Sequence, residues 1–141
     1  MKRLLIVDDA LLMRKMIRDV AAQAGWDVAG EAKDGAEGVA LYEKFRPDLV
    51  TMDVVMPNMS GLEALRRIRA VDPDARVVMV TALDQKETLM EAFRDGAIDF
   101  IVKPFEHGRI LRLLDKHGAA SPPGVREADP SNENEADGVQ G

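Results

Sequence analysis

Short apolar runs alternate along this sequence with stretches in which apolar residues recur at helical spacing, and this alternation restricts the fold most. The runs predict five buried strands, and the periodic stretches predict a helix after each strand. Turn-forming pairs such as Asp34-Gly35 and Asp95-Gly96 keep the connections short. We therefore predict an α/β fold, a doubly wound five-stranded parallel sheet of flavodoxin-like (β/α)5 order 2-1-3-4-5. The predicted strands are Arg3–Val7, Trp26–Ala32, Leu49–Asp53, Arg76–Val80 and Phe100–Val102, and the fourth helix is predicted over Leu83–Arg94.

The composition divides the chain into a globular body and an acidic tail. Of 141 residues 46% are apolar, which is enough for the core of one domain, predicted over residues 1–118. Residues 119–141 hold five Asp and Glu against one Arg, so they carry −4 and the body −2 of the total of −6. Because this tail has almost no large apolar residues, we predict that it is disordered. The acidic balance argues against nucleic acid as a partner of the folded body.

What the sequence lacks disfavours several classes of protein. It has no cysteine, so disulfides and thiolate metal sites are excluded. No apolar run reaches the length of a membrane span, and charged Lys2 and Arg3 lead directly into the first strand rather than into a signal peptide. We therefore expect a cytoplasmic protein without a membrane partner.

Acidic, hydroxyl and basic side chains stand at the carboxyl ends of the predicted strands, where ligands of such sheets bind. Three carboxylates in one cleft repel one another and favour a divalent cation, and oxygen ligands with room for water favour Mg²⁺. A hydroxyl and an ammonium group opposite them are suited to phosphoryl oxygens, and an aspartate can accept the phosphoryl group as nucleophile. The residues concerned are Asp8 and Asp9 after the first strand, Asp53 at the third, Thr81 at the fourth and Lys103 at the fifth.

Each of these residues also has a plain structural explanation. Asp8-Asp9 can form a turn, Thr81 can end a strand and Lys103 can be a solvated charge before a proline. A nucleotide site is disfavoured, because no glycine-rich phosphate loop follows the first strand. His107 and His117 lie far from the strand ends in sequence and are predicted to be solvated. What favours a site is that the candidate residues all fall at one edge of the sheet.

An ordered set of short motifs links these positions to a known family. They are Leu-Ile-Val-Asp-Asp-Ala at 5–10, Asp-Val-Val-Met-Pro at 53–57, Ser60-Gly61, Thr81-Ala82 and Lys103-Pro104-Phe105. With them, the chain from Lys2 to about Lys116 resembles the receiver domains of two-component response regulators. It looks closest to the stand-alone chemotaxis regulators of the CheY type, to which Met13-Arg14 and Ala29–Ala32 are also similar.

The resemblance implies a phosphoacceptor and a metal shell. Asp53 matches the phosphoacceptor, and Asp9 matches a direct ligand of Mg²⁺. Asp8 matches an acidic residue that holds the ion through water. The main-chain carbonyl of Val55 would complete the protein's part of the metal shell.

The resemblance also implies how the phosphoryl group is held and sensed. Thr81 and Lys103 match the groups that bind the phosphoryl oxygens, and the Lys103–Pro104 bond is expected to be cis. Phe100 matches an aromatic switch position, although it can equally be a core residue of a short strand.

The implied function is that of a response regulator that catalyses only its own Mg²⁺-dependent phosphotransfer and dephosphorylation. A histidine kinase or phosphotransfer domain would phosphorylate it, and a changed surface would bind a downstream protein, in chemotaxis the flagellar switch. That surface is expected over Leu83–Arg94, Asp99–Val102 and His107–Lys116. One alternative is a phosphorelay shuttle that passes phosphate to a histidine phosphotransfer domain, and another is a small flavodoxin-like binder or hydrolase.

Overall fold

A computed structural model of the protein describes residues 2–82 and 85–118, in which strands and helices alternate along the chain. The strands form one parallel sheet in the order β2-β1-β3-β4-β5, which confirms the predicted topology. The strands are β1 (Arg3–Val7), β2 (Asp27–Ala32), β3 (Leu49–Asp53), β4 (Val77–Ala82) and β5 (Asp99–Lys103). The helices are α1 (Leu11–Gln23), α2 (Gly35–Phe45), α3 (Gly61–Val71), α4 (Lys86–Arg94) and α5 (His107–Gly118).

The bounds differ from the prediction mainly in the last two strands. β4 continues through Thr81 and Ala82, because these residues pair with Val102 and Lys103 of β5. Leu83, where the fourth helix was expected to begin, lies outside the described residues, as does the predicted tail 119–141. Across the described ranges, no helix has the length and apolar character needed to cross a membrane.

The sheet separates two apolar layers. Successive side chains of a strand point to opposite faces, so Leu5 and Val7 of β1 pack under α2 and α3, whereas Leu4 and Ile6 pack under α1 and α5. All residues of β3 are buried, as expected for the central strand of a sheet covered on both sides. Burying each large apolar side chain contributes roughly 1.5–3 kcal/mol, so these layers hold β3 firmly.

The start of α3 is pressed against the end of β3. The Ser60 hydroxyl caps the helix by accepting a hydrogen bond from the Glu63 N–H at 3.2 Å. The Gly61 N–H donates to the carbonyl of Val54 at 2.8 Å. A Cβ atom at residue 61 would overlap the main-chain oxygen of Asp53, so only glycine allows this approach. The helix cap at Ser60 and the close approach of Gly61 thereby fix the loop after Asp53.

The prediction that His117 is solvated is wrong, because its side chain is buried between α5 and the sheet. Its Nε2 lies 2.8 Å from Asp99 Oδ2, and its Nδ1 lies 3.3 Å from Arg76 Nη2. Because the guanidinium group of arginine can only donate hydrogen bonds, Nδ1 of His117 accepts one from Arg76. The Nε2–H then donates to Asp99, and this pattern corresponds to a neutral imidazole ring. Burial lowers the pKa of His117, with Arg76 and Lys116 also lowering it and Asp99 opposing.

We predict that His117 makes stability depend on pH. Its folded pKa lies below the ordinary value of 6.5, so its contribution is present above that pH and is lost as the pH falls below it. The loss is at most about 1.4 kcal/mol per pH unit. Denaturant unfolding of wild type and of His117→Gln between about pH 7.5 and 5.5 measures this contribution as a difference. The stability advantage of wild type should shrink as the pH falls; a constant difference would contradict the prediction.

Candidate functional site

The carboxyl edge of the sheet brings together the acidic residues that the sequence predicted. One carboxylate oxygen from each of Asp8, Asp9 and Asp53 lies within 4.8 Å of the others. Asp8 and Asp53 are 1% and 6% exposed, whereas Asp9 is exposed, so the cluster opens to solvent on one side. The parallel strands produce this cluster, because their carboxyl ends lie side by side.

Lys103 reaches from the end of β5 to two of these carboxylates. Its Nζ lies 3.0 Å from Asp8 Oδ2 and 3.4 Å from Asp53 Oδ2. Burial opposes the charged form of Lys103, but the two carboxylates outweigh it and raise the pKa of the ammonium group. Lys103 therefore stays protonated between Asp8 and Asp53. The Lys103–Pro104 bond is cis, as expected.

The Asp53 carboxylate is destabilised by its surroundings. Burial raises the pKa of Asp53 to about 6, the negative charge of Asp8 adds to this, and Lys103 opposes it. A cation beside the cluster would favour the ionised carboxylates. Three carboxylates, two of them buried and one open to water, are the hard oxygen donors that a divalent cation such as Mg²⁺ or Ca²⁺ prefers. The residues present therefore fit a metal ion.

Thr81 and Phe100 lie on neighbouring strands beside an open cavity. Thr81 is buried, and its hydroxyl donates to the carbonyl of Ala82 at 3.2 Å. The half-buried ring of Phe100 packs edge-on against Phe93 of α4, with centroids 6.0 Å apart and planes at 87°. Thr81 and Phe100 line a cavity of about 340 Å³ together with Leu89 and Phe93. Phe100 thus borders both the core and an unfilled space.

The role predicted for Val55 concerns only its main-chain carbonyl. Val55 lies two residues after Asp53, and its side chain is 61% exposed. Val55 is therefore close in sequence to the acidic cluster. That its carbonyl binds a metal ion stays a prediction.

Arg14 belongs to the site but had been assigned no role from the sequence. Its Nη1 donates to the main-chain oxygen of Asp8 at 2.7 Å. Its Nε bonds Glu31 Oε1 at 3.3 Å, and Glu31 stands in β2. No sequence motif signals a bond from a side chain to a backbone carbonyl, although the spacing of Arg14 from Asp8 places it on the first turn of the following helix.

Comparison with known proteins gives a consistent result. The sequence matches the family described as response regulator receiver domain over residues 4–115. The chemotaxis protein CheY of Thermotoga maritima is 47% identical over 115 residues, which cover 82% of this chain and 96% of that protein. The chemotaxis protein CheY of Bacillus subtilis is 46% identical over 114 residues, covering 81% and 95%. A crystal structure of the CheX–CheY–BeF3–Mg²⁺ complex from Borrelia burgdorferi is similar with a TM-score of 0.77 and 33% identity, covering 82% of this chain and 88% of that chain.

The chain belongs to the response regulator receiver domain family, whose members are signalling domains of two-component systems. Within that family it is a response regulator of the chemotaxis type, like the relatives from Thermotoga maritima and Bacillus subtilis. The predicted family and fold are thereby confirmed.

We predict that Lys103→Gln destabilises the metal-free protein by about 3 kcal/mol, because two buried carboxylates lose their cation; this is the low end for a buried ion pair, since the Lys103 side chain is 25% exposed. A divalent cation should restore more stability to the variant than it adds to wild type, since it supplies the missing positive charge. Thermal unfolding in chelator and in excess cation measures both effects.

Lys116→Gln is the matched control for this comparison. It removes a 69% exposed lysine that contacts Asp99, remote from the acidic cluster. Equal cation responses in Lys103→Gln, Lys116→Gln and wild type would show that Lys103 does not neutralise the cluster.

Proposed function

We propose that the protein is phosphorylated on Asp53 by a histidine kinase or phosphotransfer domain, in a reaction that requires Mg²⁺. The observation that carries this proposal is the convergence of Asp8, Asp9 and Asp53 with Lys103 at one edge of the sheet. Asp9, Asp53 and the carbonyl of Val55 would bind the ion directly, and Asp8 would hold it through water. Residues 1–118 would form the phosphoacceptor unit.

One residue would form the bond to phosphorus, and others would bind the phosphoryl oxygens. An oxygen of Asp53 forms the new bond to phosphorus, and the bond from phosphorus to the donor breaks with its electron pair on the leaving group. Lys103 and the Thr81 hydroxyl donate to the phosphoryl oxygens, and Lys103 offsets negative charge that already lies 3.4 Å away on Asp53. When bound, Mg²⁺ supplies positive charge against the carboxylates and the transferring group.

We expect acetyl phosphate with Mg²⁺ to add one phosphoryl group to wild type and none to Asp53→Asn, because asparagine lacks the nucleophilic carboxylate. Intact-mass measurement reads the result directly. Asp19→Asn, an exposed aspartate of α1 that pairs with Lys15, is the control and should be labelled like wild type. Unreduced labelling of Asp53→Asn would assign the phosphoryl group to another residue.

The output surface is proposed over α4, β5 and α5, beside the open cavity that residues of β4, α4 and β5 line. The Borrelia burgdorferi relative was crystallised with CheX, which supports a protein partner for this family member. In chemotaxis the partner would be the flagellar switch. A phosphoryl group on Asp53 is a strong acceptor for the Thr81 hydroxyl, which now donates to Ala82. Turning Thr81 away from the cavity frees space for the ring of Phe100, and this couples the site to the surface.

We predict that Thr81→Ala accepts phosphate on Asp53 but gains little affinity for a partner on this surface. The variant lacks the hydroxyl that senses the phosphoryl group, whereas Lys103 still holds it. Partner binding with and without beryllofluoride, measured in wild type and variant, tests the coupling. A gain in Thr81→Ala as large as in wild type would show that the signal takes another route.

A further inference from the structure

Asp8 is held by main-chain and side-chain bonds on three sides. Its N–H donates to the carbonyl of Ala32 in β2 at 3.0 Å. Its Oδ1 accepts from the Ala10 N–H at 2.8 Å, and its main-chain oxygen accepts from Arg14 Nη1 at 2.7 Å. The carbonyl bound by Arg14 belongs to the peptide that links Asp8 to Asp9. Because a peptide unit is planar, fixing its oxygen also fixes the orientation of the Asp9 N–H.

Arg14 is itself held in place. Its side chain is 15% exposed, and its Nε contacts Glu31 Oε1 while its Nη1 reaches the Asp8 carbonyl. The planar guanidinium presents its donors in a fixed fork, so one side chain joins β2 to the peptide after β1. Glu31 also accepts from Arg18 at 2.6 Å, but no contact of Arg18 with Asp8 occurs in the described part of the chain.

Asp9 is the member of the acidic cluster whose position depends most on the backbone. Within residues 2–82 and 85–118, its carboxylate has no hydrogen bond or ion pair, and it is exposed. Asp8 and Asp53, in contrast, are buried and contact Lys103. The Asp9 Cα atom, from which this side chain starts, belongs to the Asp8–Asp9 peptide unit, so its position follows from the orientation of that peptide.

We propose that Arg14 is a positioning residue for the divalent cation, acting through the Asp8 carbonyl to hold Asp9 toward Asp53. The proposal rests on the proposed metal site, and the sign of its effect separates it from simple electrostatics. The positive charge of Arg14 repels a cation, so loss of that charge alone would strengthen cation binding. Loss of the contact between Arg14 and the Asp8 carbonyl would instead weaken cation binding.

The experiment is a calorimetric titration of the full chain with Mg²⁺, with Mn²⁺ as a second probe. Arg14→Gln should bind either ion about 10-fold more weakly, the lower end of the loss found when an outer partner of a metal ligand is removed. Arg14→Lys should lose a similar amount, because lysine keeps the charge but not the fork. Arg18→Gln is the matched control: it removes the other partner of Glu31, leaves the Asp8 contact, and should bind no more weakly than wild type.

Unchanged or tighter binding by Arg14→Gln would overturn the proposal, as would an equal loss in Arg18→Gln. If Arg14→Gln does not fold, Arg14→Lys carries the test by itself, because it keeps the charge, and it should bind more weakly than wild type. At saturating Mg²⁺, labelling of Asp53 by acetyl phosphate should recover in Arg14→Gln, because positioning changes affinity rather than the nucleophile. Failure of wild type to be labelled would refute the proposed function, while the affinity comparison still decides the role of Arg14.

Discussion

The placement of Lys103 between two buried carboxylates is the interaction on which the functional edge of the structure depends. Asp8 follows the end of β1 and Asp53 ends the neighbouring β3, where burial withholds water and each negative charge opposes the other. At about 3 Å and an effective dielectric constant of about 20, one attractive pair is worth about 5 kcal/mol before desolvation is subtracted. Because Lys103 extends from β5, this attraction links β5 to the ends of β1 and β3, to which the sheet otherwise connects it only through β4.

Most of the fold followed from the sequence because local pattern and overall topology agree. The apolar run at Leu49–Asp53 predicted a strand buried on both faces, and the structure buries every residue of it. Parallel strands place their carboxyl ends together, so the close approach of Asp8 and Asp53 follows once β1 and β3 are neighbours, whereas Lys103 reaches them past β4 through its long side chain. The strand β4 was predicted to end too early. Its last residues pair with β5, and no sequence feature near Thr81 specifies that pairing.

The contacts that the sequence could not predict join residues far apart in the chain. His117 stands among polar neighbours in a helix, yet Asp99 and Arg76, 18 and 41 residues away, form its buried partners. Arg14 was seen as part of a family pattern, but its bond ends on a main-chain oxygen, which is the same atom in every residue type. The periodicity of apolar side chains indicates which residues are buried. These hydrogen bonds depend instead on how the helices pack against the sheet.

The two ends of β5 make different contacts outside the sheet. Its first residue, Asp99, contacts Lys116 and His117 of α5, at the end of the strand opposite the acidic cluster. Its last residue, Lys103, is held by the charges of Asp8 and Asp53, and a bound cation or phosphoryl group would change their balance. Between them, Phe100 and Val102 face the cavity under α4. A change in the charge balance at Lys103 would therefore act on the end of β5 next to Val102, which borders the cavity under α4, whereas the bonds that attach β5 to α5 lie at the other end of the strand.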